Sequence, residues 1–151
     1  MKKQSNFSIQ KADDSSGFLL WQVTTLWQRE IKKALESVEL SHSAFVILAS
    51  LLWFDEQQIE PTQTTIINHT KLDKMTVSKS LKALVSQGLV SRFENELDTR
   101  AKTIVLTEQG KNIAIQTVKI VEGVDRVFFS KLKNDEKTVL NELFVKLVRQ
   151  P

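Results

Sequence analysis

The 151-residue sequence contains no cysteine, which excludes a disulfide framework, a thiol nucleophile, a thiol redox sensor and a cysteine-ligated zinc site. Its only histidines are His42 and His69. His42 with the nearby Glu39 offers two ligands, short of the tetrahedral set that zinc favours, so neither a metal nor a cofactor is expected. The longest apolar run, "AFVILASLLWF" at residues 44–54, is shorter than the roughly 20 residues that span a bilayer. "MKKQSNFSIQ" at the start lacks the apolar stretch of a signal peptide. A cytoplasmic protein without membrane association is expected. No nucleophile–base pair, phosphate-binding loop or pair of carboxylates with a definable pocket stands out, so the chain reads as a non-enzyme.

What is present suits one folded unit. A chain of this length buries about two thirds of its unfolded surface, and 41% hydrophobic with 26% charged residues is ordinary for a globular protein. The net charge of +3 is small but local: residues 71–92 hold five bases (Lys71, Lys74, Lys79, Lys82, Arg92) against one acid, Asp73, a net of +4. A basic patch on a near-neutral body is what neutralising phosphates requires; a solvated lysine face is the competing reading.

Residues 1–15 are polar without a sustained period and are expected to form a tail ending at a helix cap, Ser15 or Ser16. Leu20, Val23, Trp27, Ile31, Ala34 and Val38 then recur at steps of three and four, a helical stripe, with Leu19 and Leu26 adding apolar surface beside it. Ser41 can cap a second helix, apolar almost all round and therefore central. Two short helical segments follow Pro61, "TQTTIINHT" and "DKMTVSKSLKALVSQ", the second closed by Gly88. "LVSRFE" and "KTIVLT" read as paired strands. Thr107 can cap a long helix with two apolar stripes, one through Ala114, Val118 and Val121 and one through Ile113, Ile120, Val124 and Val127. Asn134 or Asp135 is the expected cap of a last amphipathic helix. The fold class is mainly α with a small β-hairpin wing: a winged helix-turn-helix at 60–106 in a single domain at 16–150, with dimerisation helices at 16–38 and 107–150.

In the helix over 73–87, Val77, Leu81 and Leu84 share the inner face. Lys74, Met75, Thr76, Ser78, Lys79 and Lys82 lie on its outer face or flanks. Hydroxyls and lysines at an exposed N-terminal turn suit the major groove. In the hairpin "DTRAKTIVLTEQG", at residues 98–110, the tip carries Asp98, Arg100 and Lys102 at alternate positions, without the Gly that tight hairpin turns favour. Arg100 can enter an A·T-rich minor groove. Asp98 can orient its guanidinium, and Lys102 and Lys82 can meet phosphates.

Residues 18–149 resemble the MarR-type winged-helix transcriptional regulators. "KLDKMTVSKSLKALVSQGLVSR" is similar to their recognition helix and first wing strand, and "DTRAKTIVLTEQG" to their wing signature. The resemblance implies a cytoplasmic homodimer that binds a pseudo-palindromic double-stranded DNA operator, most often as a repressor. It also implies a small aromatic ligand near Trp21, Trp27, Phe45 and Trp53, although large aromatics are more often packing. Lys71 departs from the family where Gly is frequent; a positive φ there would cost around 1 kcal/mol. Ile67 and Thr70 depart at positions where Ala and Leu are common. The alternative function is a winged-helix module that docks proteins without binding DNA, which would carry an apolar outer face on the recognition helix.

Overall fold

The computed structural model describes residues 1, 4–94, 97 and 100–149. After a 3-10 turn at Ala12–Asp14, the Ser15 hydroxyl accepts from the Phe18 N–H at 3.2 Å and opens α1 (Ser16–Leu35). Glu39, left-handed at φ 55°, then turns the chain into α2 (His42–Glu56), capped by Ser41. α3 (Gln63–Thr70) and α4 (Lys74–Ser86) form the helix-turn-helix. β1 (Val90–Glu94) pairs antiparallel with β2 (Lys102–Leu106), Val90 opposite Leu106 and Glu94 opposite Lys102. α5 (Glu108–Phe128) and α6 (Asn134–Val148) complete the subunit.

α2 is the axis because it can be buried on nearly every side: Ala44, Phe45, Ile47, Leu48, Leu51, Leu52 and Phe54 are all buried. Around it lies a core of Ile66 from α3, Val77, Leu81 and Leu84 from α4, Ile104 from β2 and Ala114 from α5. Burying each such side chain is worth about 1.5–3 kcal/mol, so the recognition module is built onto the main core. A second cluster joins Ile31 and Leu35 of α1 to Phe45 and Val121, with Trp27 against it. The first stripe of α5 supplies Ala114, Val118 and Val121 to these cores, while Ile113 and Val124 of the second stripe pack at their edges.

The terminal helices behave differently. α6 has no buried residue, leaving Val139, Leu143, Phe144, Val145, Leu147 and Val148 exposed, and Leu19, Leu20 and Leu26 of α1 are exposed as well. The cap of α6 differs from expectation. Lys133 holds that position and has no side-chain acceptor, so the Glu136 carboxylate reaches back to accept from the Lys133 N–H at 2.9 Å. Asn134 is then the first helical residue. Among the described residues, no single helix is long and apolar enough to cross a membrane.

Candidate nucleic-acid interface

The helix-turn-helix is held by short polar contacts at each end. Thr62 and Thr65 cap α3 reciprocally, each hydroxyl accepting from the other's backbone N–H at 3.2–3.3 Å. The turn needs a left-handed residue, and Lys71 supplies it at φ 61°, its N–H donating to the Ile67 carbonyl at 2.9 Å. The chain accepts here the strain that a Gly would avoid. Thr70 offsets part of it by donating its hydroxyl to the Ile66 carbonyl and accepting from the Leu72 N–H. Asp73 caps α4, accepting from the Thr76 N–H at 2.8 Å and the Thr76 hydroxyl at 2.7 Å. These bonds hold the Asp73 carboxyl below its ordinary pKa.

With Val77, Leu81 and Leu84 buried, the opposite face of α4 exposes Lys74, Met75, Lys79 and Lys82. Met75 is 82% exposed. Two expected readers are more constrained. The Thr76 hydroxyl proton is spent on Asp73, leaving the oxygen as an acceptor and the methyl group as contact surface. Ser78 accepts a 2.7 Å bond from the amide nitrogen of Gln63, the first residue of α3. Gln63 carries no sequence signal of its own, because the pairing arises only when α3 crosses α4.

The wing is tied to the same place. The Ile104 N–H donates to the Pro61 carbonyl at 2.8 Å, and Thr62 bridges Thr103, so residues 61–62 border β2 through an isolated bridge. Between this border and the hairpin lies a cleft of about 430 Å³, lined by Gln63, Arg92, Arg100 and Lys102 among others. The Nε and Nη2 atoms of Arg92 are buried with no hydrogen-bond partner among the described residues. Arg92 was legible in principle: it stands two residues after the buried Val90, on the same strand face, opposite Ile104. Arg100 is exposed in the turn two residues before β2, while its expected partner Asp98 lies outside the described residues.

The root of the wing explains the Leu-Thr-x-x-Gly pattern. Thr107 caps α5 by accepting from the Gly110 N–H at 3.0 Å, and its own hydroxyl donates to the Gly88 carbonyl at 2.7 Å. Its N–H donates to the Leu89 carbonyl at 3.1 Å. A Cβ on Gly110 would overlap that same Leu89 carbonyl oxygen. Recognition helix, wing and α5 thus meet at one contact that only glycine permits.

The four aromatic residues expected to line a pocket do not gather within the subunit. Trp27 and Phe45 share the second core cluster, whereas Trp21 is 70% exposed and Trp53 53% exposed, outside it. Six residues along α1 put Trp21 on a different face from Trp27, and eight along α2 carry Trp53 about 12 Å along the axis from Phe45. Trp27 instead donates its indole N–H to Asp125 of α5 at 2.7 Å and meets the His42 ring edge-on, centroids 5.1 Å apart. Burial pushes the His42 imidazole below its ordinary pKa, with the Asp125 carboxylate opposing. Beside His42, between α1 and α2, lies a cavity of about 600 Å³ that includes Lys32 and Glu39 in its lining. His69 meets the Phe54 ring at a tilt of 59°, centroids 4.9 Å apart, and does not line this cavity.

Residues 36–125 match the ArnR1-like winged-helix domain family. The chain is 34% identical over 136 residues to the uncharacterised HTH-type transcriptional regulator YdcH of Bacillus subtilis, covering 90% of this chain and 91% of the relative. In fold it is similar to a mutant MarR from Escherichia coli complexed with operator DNA, with a TM-score of 0.76, 24% identity and coverage of 87% of this chain and 91% of that one. It is also similar to BpsR of Bordetella bronchiseptica, a structure describing regulation of DNA binding by 6-hydroxynicotinic acid, with a TM-score of 0.84, 19% identity and coverage of 95% and 100%. The wing signature, the helix order and a close relative therefore agree, and the chain belongs to the ArnR1-like winged-helix family of helix-turn-helix transcriptional regulators, in the MarR fold.

Proposed function

We propose that two copies of the chain bind a pseudo-palindromic double-stranded DNA operator as a cytoplasmic homodimer and repress transcription until a small aromatic ligand releases them. One observation carries the reading: the arginine- and lysine-lined cleft under the wing adjoins α4 through Gln63, which lines the cleft and bonds Ser78, and α4 exposes Lys74, Lys79 and Lys82. In this reading Lys74, Met75, Thr76, Ser78 and Lys79 meet base edges in the major groove. Arg100, oriented by Asp98, enters the flanking minor groove, and Lys82 and Lys102 take phosphates. A protein-docking module would instead carry an apolar outer face on α4, and three lysines occupy it here.

The dimer reading is supported by the terminal helices, where Leu19, Leu20 and Leu26 of α1 and Val139, Leu143, Phe144 and Leu147 of α6 stand uncovered in the subunit. An isologous contact there would set two recognition helices about one turn of DNA apart. The cavity beside His42 has a volume suited to a small ligand. Lys32 lines it together with Glu36 and Glu39, and the Trp27–His42 pair links the cavity to α5.

The test is selection of bound duplexes from random DNA, followed by titration of the complex with 6-hydroxynicotinic acid and related aromatic acids. A two-fold symmetric consensus with half-sites one turn apart, weakened by one such acid with quenching of tryptophan fluorescence, is expected. Retention of no duplex above background would refute DNA reading. Binding that no aromatic acid alters would refute the ligand step alone.

A further inference from the structure

The Gln63–Ser78 bond joins the first helix of the motif to the reading helix, and both side chains are only partly buried. Gln63 is fixed from behind. Pro61 and Thr62 are bonded to β2, and the Thr62–Thr65 cap sets the first turn of α3. Its amide therefore stands at a defined place between wing and recognition helix.

The direction of the bond settles what each group can offer next. The Gln63 amide nitrogen spends one hydrogen on Ser78, so its carbonyl oxygen is left as an acceptor beside the second N–H. The Ser78 oxygen accepts, which leaves its O–H to donate. The Gln63 carbonyl thus stands as an acceptor with donors beside it, the Ser78 O–H and the second Gln63 N–H. In the major groove, adenine alone offers the complement, the N7 acceptor beside the N6 amino donor. Guanine shows two acceptors, thymine an acceptor and a methyl group, and cytosine a donor only.

Building on the proposed DNA reading, we infer that Gln63, outside the recognition helix, is a specificity-determining residue that forms with Ser78 a two-residue reader of adenine. The hydrogen bond between them does the work that a single bidentate side chain does elsewhere. It also links the choice of base to the wing, since Gln63 directly follows Pro61 and Thr62, which are bonded to β2.

Selection from random duplexes by the full-length wild type, Gln63→Ala, Ser78→Ala, the double variant and Gln63→Glu tests this. The wild-type consensus should hold one adenine per half-site. Preference for it should fall roughly 5- to 160-fold in either single variant, the range for losing a two-point base contact. The double variant should lose no more than either single one, and the salt dependence should not change. Gln63→Glu keeps a good residue for a helix N-terminus but only accepts, so it should exchange adenine for cytosine, whose N4 amino group donates. A uniform loss of affinity for all sequences, or an unchanged consensus in Gln63→Ala, would overturn the inference while leaving the DNA reader standing. A wild type without sequence preference would instead overturn the DNA reading itself.

Discussion

Replacing Gly110 by Ala should separate a geometric demand from a mere helix preference. The added Cβ would overlap the Leu89 carbonyl oxygen and lie 2.8 Å from its carbon and 3.1 Å from its Cα. Carbon pairs favour about 3.5–4.0 Å, so the first turn of α5 or the strand entry must move by roughly 0.7 Å or more to relieve the carbon contact alone. All three obstacles are backbone atoms of Leu89, and none can rotate away. Overpacking of this kind costs about 1–3 kcal/mol. The movement also strains the bonds from Thr107 to Leu89 and Gly88, each worth about 1 kcal/mol. Against this, Ala is favoured over Gly in a helix by about 1 kcal/mol. The balance is a loss of about 2–4 kcal/mol, a large share of the roughly 5–15 kcal/mol that holds a domain folded. Gly123 provides the control within the same helix, because a Cβ there meets nothing within 4 Å in the subunit. Urea unfolding at matched protein concentrations would show Gly110→Ala strongly destabilised and Gly123→Ala unchanged or slightly stabilised. Equal stability of the two variants would refute the close-approach reasoning.

Three further outcomes are expected. Leu143→Asp, at a position exposed in the subunit, should leave the circular dichroism unchanged but convert a dimer to a monomer in sedimentation at micromolar concentration; a wild type that sediments as a monomer would refute the dimer layer. Burial lowers the His42 pKa, so the unfolded chain takes up its proton first, and stability should be full above the ordinary value of 6.5 and decline as pH falls from there toward the folded value. Unfolding midpoints measured across that window should shift less in His42→Gln than in the wild type. Lys82→Ala and Lys102→Ala should each weaken binding to all duplexes alike and flatten the log–log salt slope by about two per dimer, one phosphate per subunit.

The sequence made some parts of this molecule plain because their causes are local. Caps at Ser15, Ser41 and Thr107, the all-apolar α2 and the β-branched run of β2 are set by neighbours within a few residues. Lys71 also declared its turn, at the expected conformational cost. What stayed hidden depends on which elements meet. Gln63 and Ser78 lie fifteen residues apart and meet only through the crossing of α3 and α4. Helical period told which residues of α1 share a face, but not that Trp27 would find Asp125 while Trp21 stayed outside the core. Thr76 shows a local ambiguity of another kind: an outward hydroxyl on the first turn can face DNA or complete the cap, and its proton completes the cap.

The division of labour between α4 and the wing is tested most directly by repeating the duplex selection with Lys79→Ala and Arg100→Ala beside the wild type. Lys79→Ala should blur the inner positions of each half-site and leave the flanks intact. Arg100→Ala should do the reverse, removing a preference for A·T at the outer flanks while the inner sequence persists, because the minor groove distinguishes little beyond A·T from G·C. Consensus sequences that both variants leave unchanged, or that both degrade at the same positions, would contradict a reading in which helix and wing contact separate parts of the operator.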